Sequence, residues 1–243
     1  MKLTICILAG GQGKRMKSDL PKVCHLFKNK PMIVHIINRS FELNSDKILI
    51  VTGKYNDIIQ NTIKKYIDDD KFKKLKFIIQ NDPLGTGHAI KCTLSNYNNN
   101  ENVLILNGDT PNINKDLLLN FINSNGNNKL LVSKIDNPYG YGRVLLNKNN
   151  EILKIVEEKD ASEIEKKTNI INSGIYLIES VNLIKYIPLI KNNNISNEFY
   201  LTDVIEIMLN NKIITNGYII NKKDNDLILG VNTLEQLNNL ENL

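Results

Sequence analysis

The stretch Leu3-Thr4-Ile5-Cys6-Ile7-Leu8 runs into Ala9-Gly10-Gly11-Gln12-Gly13-Lys14-Arg15-Met16 and then Leu20-Pro21-Lys22. A short apolar run with β-branched members reads as a buried strand of a parallel sheet. The glycines that follow let the backbone approach a ligand closely, and their N–H groups suit phosphate oxygens. Arg15 and Lys22 add the positive charge that a side-chain-poor loop lacks. Two phosphate loops fail against it. A P-loop ends in Gly-Lys-Ser/Thr, which is absent. The dinucleotide fingerprint G-x-G-x-x-G would place a third Gly where Met16 stands. The stretch reads as a third kind of nucleotide loop, or else as an ordinary glycine-rich strand-to-helix turn.

Outward from there, strands and helices alternate. Pro31 suits the first turn of a helix continued by Met32, Ile33, Val34, Ile36, Ile37 and Phe41. Lys47 to Thr52 is a second strand, and Tyr55 to Ile67 has helical spacing. The acidic triple Asp68-Asp69-Asp70 reads as a solvated loop; three adjacent carboxylates point in different directions, which argues against a metal cluster. Leu75 to Gln80 is a third strand, leading into Asn81-Asp82-Pro83-Leu84-Gly85-Thr86-Gly87-His88-Ala89. Val103 to Leu106 is a fourth, closed by Asn107-Gly108-Asp109-Thr110-Pro111, with a helix near Asp116 to Asn123. This is the pattern of a doubly wound α/β sheet. Ligands of such sheets sit beyond the carboxyl ends of the strands. The loops Gly10 to Arg15, Gln80 to Gly87 and Asp109 are therefore expected to converge.

The second half has a different texture. Close-spaced strands at Leu130 to Val132, Arg143 to Leu146, Ile152 to Val156 and Ile171 to Ile178 suggest a mixed sheet or lobe laid over the first half. Helices follow at Val181 to Ile187 and Thr202 to Leu209, then a strand at Ile213 to Ile220 and a helix from Thr233.

With 243 residues, 42% of them hydrophobic and 23% charged, the chain can bury a sizeable core and reads as an ordinary globular protein. The net charge of +5 is scattered, with no basic run interleaved with aromatics to favour nucleic acid. The three cysteines, Cys6, Cys24 and Cys92, lie far apart, and with no signal-type stretch this suggests a reducing, cytoplasmic setting. No apolar run approaches the ~18 residues of a membrane span.

Asp109 ends a buried strand behind a glycine. A carboxylate there can hold Mg²⁺ against phosphates, or serve as an Asx turn or helix cap before Thr-Pro. Beyond the opening loop, the chain carries in order L-P-K-V, P-L-G-T-G-H-A, N-G-D-T-P, G-Y-G-R-V, V-E-E-K-D-A, N-S-G-I-Y, E-F-Y-L-T-D and G-V-N-T. With L-A-G-G-x-G-x-R-M these resemble the sugar nucleotidyltransferases of Rossmann-like (GT-A-like) fold. The likeness is to the N-terminal uridyltransferase (pyrophosphorylase) domain of the bacterial bifunctional N-acetylglucosamine-1-phosphate uridyltransferase/glucosamine-1-phosphate acetyltransferase.

The resemblance spans essentially the whole chain. It implies one nucleotidyltransferase domain over residues 1–243, with a nucleotide-binding half at 1–125 and a sugar-binding half at 126–243. The sheet would be mostly parallel, flanked by helices, with a smaller mixed β lobe. The activity implied is Mg²⁺-dependent transfer of UMP from UTP to N-acetylglucosamine-1-phosphate, giving UDP-N-acetylglucosamine and pyrophosphate for peptidoglycan and lipopolysaccharide synthesis.

By the same resemblance, Leu8, Ala9, Gly10 and Gly11 border the nucleotide, and Gln80, Gly85 and Thr86 read uracil. An amide such as that of Gln80 can pair with the uracil edge in both directions. Arg15 and Lys22 hold phosphates, and Asp109 and Asn232 ligate Mg²⁺. Gly142, Glu157, Asn172, Tyr200 and Thr202 surround the sugar. Each residue has a plainer use: Glu157 as a surface charge beside Glu158 and Lys159, Tyr200 in core packing, Asn232 as a turn cap. His88 reads as a first-turn helix residue rather than a general base. Asn107 stands where the family often has an aromatic residue, a departure at the border of nucleotide or sugar. No hexapeptide repeat of the acetyltransferase β-helix occurs in these residues, so a monomer or weak oligomer is expected. The rivals are the same chemistry on another sugar-1-phosphate, a catalytically idle nucleotide-sugar-binding module, and, disfavoured by Met16, a dinucleotide oxidoreductase.

Overall fold

The opening apolar run is a strand buried on both faces, and it sits near the middle of the sheet. A computed structural model describes residues 2–11 and 13–243. Gln12 of the glycine-rich loop lies outside the described residues, as does the side chain of Lys14. In chain order the elements are β1 (Lys2–Leu8), a two-residue pair β2 (Leu26–Phe27) and β3 (Lys30–Pro31), α1 (Met32–Glu42), β4 (Lys47–Thr52), α2 (Asn56–Lys64), α3 (Asp69–Phe72), β5 (Leu75–Ile79), α4 (Thr86–Lys91), β6 (Glu101–Asn107) and α5 (Lys115–Asn123). The second half adds β7 (Lys129–Lys134), β8 (Arg143–Leu146), β9 (Ile152–Val156), β10 (Ile170–Glu179), α6 (Ser180–Tyr186), α7 (Asp203–Asn210), β11 (Asn216–Ile219) and α8 (Leu234–Glu241).

The sheet runs β11-β7-β10-β6-β1-β4-β5, with the β8–β9 hairpin joined to β10. Pairs β1–β4, β1–β6, β4–β5 and β7–β11 are parallel; β10 is antiparallel to both its neighbours. The fold is thus a mostly parallel central sheet flanked by helices. The second half is not laid over the first. It extends the same sheet through β10, and only the β8–β9 hairpin stands off as a small lobe.

Period-2 alternation divides the core between the two faces. Leu3, Ile5 and Ile7 pack with Ile33, Val34 and Ile37 of α1, Ile59 and Ile63 of α2, and Leu118 and Phe121 of α5. Cys6, Leu49 and Val51 pack with Ile90 of α4, Leu183 of α6, and Val204, Ile205 and Met208 of α7. Each such aliphatic side chain contributes about 1.5–3 kcal/mol by leaving water. Cys6 is buried filler, its thiol pushed up to about 12 by burial.

Asp68-Asp69-Asp70 is not a loop. Asp68 Oδ1 accepts the Lys71 N–H at 2.8 Å and caps the short α3, in which Asp69 and Asp70 form the first turn. Acidic residues are favoured there by the helix dipole. The helix expected to run to Ile67 ends at Lys64, and the strand expected over Ile213 to Ile220 is confined to β11. Among the described residues no helix is long and apolar enough to cross a membrane.

Candidate active site

The carboxyl ends of β1, β4, β5 and β6 open onto one cleft of about 480 Å³. Leu8, Ala9, Gly10, Gly11, Lys22, Gln80, Gly85, Thr86, Asp109, Gly142, Glu157, Asn172 and Asn232 all line it. Three residues singled out in the sequence stand outside the lining. Arg15 reaches it through Asn232, and Thr202 through Glu157. Tyr200 is half-buried, its carbonyl accepting the Asp203 N–H at 3.3 Å.

At one end, Lys22 Nζ donates to Asp109 Oδ2 and, at 3.0 Å, to Asn232 Oδ1. Arg15 Nη2 donates to the same Asn232 oxygen at 3.0 Å. The backbone builds this meeting point. Gly108 N–H donates to Leu8 C=O at 2.9 Å, placing Asp109 beside the glycine-rich loop, and Val231 N–H donates to Asp109 C=O at 2.9 Å. Behind Asn232, Gln236 Oε1 accepts its main-chain N–H at 2.7 Å, while Thr233 Oγ1 caps α8. Met16 packs with Val231, Leu237 and Leu240, so α8 braces the turn that carries Arg15.

Asn114, not Asp109, caps α5, and Thr233, not Asn232, caps α8. Two side-chain oxygens converging on one ammonium are a hard donor pair. Mg²⁺ commonly takes one or two protein oxygens and completes its shell with water and phosphate. Asp109 and Asn232 fit that requirement. Among the described residues no group of three or more His, Cys, Asp or Glu offers an all-protein cage.

Further along the cleft, Gln80 is buried and its Nε2 donates to Gly85 C=O at 3.0 Å, with His88 Nδ1 at 3.1 Å. A carbonyl only accepts, so it fixes which end of the amide faces it. Gln80 keeps its oxygen available as an acceptor, rather than offering donor and acceptor together. The loop that follows is stitched to a distant segment. Phe199 N–H donates to Leu84 C=O at 2.8 Å, Gly87 N–H to Phe199 C=O at 2.7 Å, and Leu201 N–H to Thr86 Oγ1 at 3.0 Å. P-L-G-T-G-H and E-F-Y-L-T-D thus form one structural unit.

Opposite, Glu157 is half-buried at the end of β9 and accepts the Thr202 hydroxyl at 3.3 Å. Burial pushes its carboxyl up, against the Thr202 hydrogen bond, and the charges of Asp203, Asp160 and Glu198 push the same way. A bulge in β10 between Asn172 and Tyr176 turns Asn172, Ser173 and Gly174 toward the cleft. Bulges serve to re-aim side chains next to sites. Asn172 Oδ1 accepts from Gly174 N–H at 2.8 Å and Tyr176 Oη at 3.2 Å, leaving its NH₂ as the free donor. Asn107 lines the same wall and donates to Ser173 C=O at 3.0 Å.

The cleft also holds Tyr141, Glu198 and Gly230, which the sequence reading did not single out. Each lies inside a quoted motif. An aromatic between two glycines, as in Gly140-Tyr141-Gly142, was the available signal.

A family model described as "MobA-like NTP transferase domain" matches residues 5–164. Among curated proteins, the chain is 42% identical over 250 residues to "Probable UDP-N-acetylglucosamine pyrophosphorylase" of Acanthamoeba polyphaga mimivirus, covering 100% of this chain and 96% of that one. It is 37% identical to "Bifunctional protein GlmU" of Streptococcus uberis over 93% of this chain and 48% of that one, so it spans about half the length of that relative. Among solved structures, HddC from Yersinia pseudotuberculosis complexed with GMP-PN superposes with a TM-score of 0.68 at 21% identity, over 98% of each chain. That likeness is one of fold. The family match over most of the chain and the full-length relative agree with the cleft, and the chain belongs to the MobA-like NTP transferase family, as a nucleotidyltransferase.

Proposed function

We propose that this nucleotidyltransferase moves UMP from UTP to N-acetylglucosamine-1-phosphate, releasing pyrophosphate and forming UDP-N-acetylglucosamine, with Mg²⁺ as cofactor. The name of the mimivirus relative supports the substrate pair. The observation that carries the reading is the meeting of Arg15, Lys22, Asp109 and Asn232 at one point of the cleft. Two cations and two hard oxygens there suit a triphosphate and its counter-ion. The Gln80 oxygen supports uracil as the base, since uracil offers an N3–H donor where cytosine offers an acceptor.

In this reading a sugar-phosphate oxygen attacks the α-phosphorus of UTP in line, and the bond to the β-phosphate bridging oxygen breaks. A phosphate monoester is already a competent nucleophile, so the protein supplies positioning and charge rather than a base. His88 is engaged with Gln80 rather than aimed at a reacting atom. Arg15 and Lys22 leave Asn232 and Asp109 for the phosphates and stabilise the departing pyrophosphate. Asp109 and Asn232 would hold the metal ion, which when bound neutralises charge on the triphosphate. Glu157 and Asn172 receive sugar hydroxyls, with Gly142 giving them room and the Thr202 hydroxyl orienting the Glu157 carboxylate. Residues 1–125 serve the nucleotide and 126–243 the sugar, with Asn232 crossing back to the phosphates. Peptidoglycan and lipopolysaccharide synthesis are the proposed consumers of the product.

The test is pyrophosphate release from UTP with N-acetylglucosamine-1-phosphate and, in parallel, glucosamine-1-phosphate, each with and without Mg²⁺. Mg²⁺-dependent release with the acetylated sugar is expected. Release with a different sugar phosphate would move the substrate, and folded, UTP-binding protein with no release from any of them would refute the reading.

A further inference from the structure

Arg143 is the first residue of β8 and is only 2% exposed. Its Nη1 lies 2.8 Å from Glu158 Oε2 and also donates to the carbonyl of Tyr141. The same Glu158 oxygen accepts the Gly140 N–H at 3.0 Å. One ion pair therefore grips two consecutive residues of the loop that lines the cleft beside Glu157. The loop's own turn adds Tyr141 N–H to Pro138 C=O at 3.1 Å and Tyr139 N–H to Asn137 Oδ1 at 3.2 Å, while Arg143 and Glu158 reach it from the two ends of the β8–β9 hairpin. Gly140 has φ +85°, and a Cβ there would meet nothing within 4 Å. Its neighbour Tyr139 is 78% exposed.

The pair is a poor choice for stability alone. Arg143 Nε is buried and has no hydrogen-bond partner among the described residues, and buried ion pairs are often matched or bettered by apolar pairs of similar volume. What the pair does is geometric: it fixes the main chain of Gly140 and Tyr141, while the Tyr141 side chain packs against the core. From Gly142, the chain returns to the cleft wall through the Asn172 N–H, which donates to Gly142 C=O at 2.9 Å.

We propose that Arg143 and Glu158 are positioning residues for the acceptor substrate, holding Gly140-Tyr141-Gly142 in the conformation that receives the sugar phosphate. The proposal rests on reading this end of the cleft as the acceptor side. Neither side chain touches the substrate; each acts through the loop. Glu157 and Glu158, adjacent in sequence, thus divide the work, one facing the ligand and the other anchoring the loop opposite.

The experiment compares wild type, Arg143→Met/Glu158→Leu, Arg143→Lys and Glu158→Gln as full chains. The double variant is expected to melt at or above the wild-type temperature, yet to raise the KM for the sugar phosphate about tenfold or more, since ~1 Å misplacement can cost a hundredfold. The KM for UTP should move by less than about twofold. Amide exchange at Gly140 should quicken in the same variant. Arg143→Lys, which keeps the charge but not the fork, should recover part of the loss. A folded variant with unchanged acceptor KM and unchanged Gly140 exchange would overturn the proposal, as would both KM values rising in proportion. If the double variant does not fold, Glu158→Gln carries the same comparison. If wild type turns over no sugar phosphate at all, the acceptor reading fails by itself; Gly140 exchange then decides whether the pair holds the loop.

Discussion

Adding one methyl group at Gly85 should damage the cleft more than adding one at Gly11, although both glycines line it. Gly85 has φ 114° and ψ 173°, a region open essentially to glycine alone. A Cβ there would sit 2.5 Å from the Phe199 carbonyl oxygen and 2.8 Å from its nitrogen, both backbone atoms that cannot swing aside. The strain is worth about 1–3 kcal/mol. Relief by separation would break the Phe199–Leu84 and Gly87–Phe199 hydrogen bonds, each worth about 1 kcal/mol. Gly85→Ala is thus expected to cost about 3 kcal/mol. Spread over the whole domain, that lowers Tm by about 6–12 °C. If the loop instead lets go locally, the cost appears as about a hundredfold weaker UTP binding with little change in Tm. Gly11 is the control. It has no positive φ, and no described residue beyond its chain neighbours lies within 4 Å of its would-be Cβ. Gly11→Ala should leave Tm within about 2 °C of wild type and weaken UTP binding by intruding on the ligand. Thermal melts paired with UTP titration measure both. A Gly85→Ala protein matching wild type in Tm and in UTP affinity would refute the reasoning.

Asp109→Ala should abolish turnover while leaving the circular-dichroism spectrum and folding cooperativity intact; near-wild-type rates from the folded variant would remove Asp109 from the site. Lys129 is buried, and its Nζ donates to the Ile122 and Ser124 carbonyls at 2.8 and 2.7 Å, at the end of α5. Lys129→Met should cost about 2–4 kcal/mol in urea melts by orphaning them, with the specific activity of folded enzyme unchanged. Glu165 is held down to about 2, first by the Ser162 hydroxyl, then by the Ser162 N–H and by Lys154. A lowered carboxylate gives stability that is present above about pH 4.5 and lost as pH falls toward 2. Discounted for solvent this is about 1 kcal/mol, and Glu165→Gln should flatten the acid limb of a stability-versus-pH curve by that amount.

Much of the site was legible because it lies on short local signals. A glycine-rich turn after an apolar run, an Asp behind a strand-ending Gly, and a Gln closing β5 each announce themselves within a few residues, and strand-to-helix alternation says that they meet at one end of a sheet. Glu158 was not legible. Beside Glu157 and Lys159 it looks like an ordinary charged surface turn, and only the fold shows it paired with Arg143, fifteen positions earlier in the chain and across the β8–β9 hairpin. Asp68 was misread because a single turn of helix leaves too little periodicity to recognise.

The sequence by itself determined the strand-and-helix alternation and the glycine-rich loop, which follow from local spacing and side-chain chemistry; Gly142, Glu157, Asn172 and Asn232 it marked only through the family resemblance. The tertiary structure decided what depends on contacts between distant segments. It placed β10 antiparallel between β6 and β7, making the second half an extension of the first half's sheet. It brought Asn232 to Lys22 and Arg15 through α8. It also turned the Gln80 amide by means of the Gly85 carbonyl. Which strand neighbours which, and which end of an amide points inward, are set by partners far along the chain or by the three-dimensional path of a loop, and no window of sequence contains them.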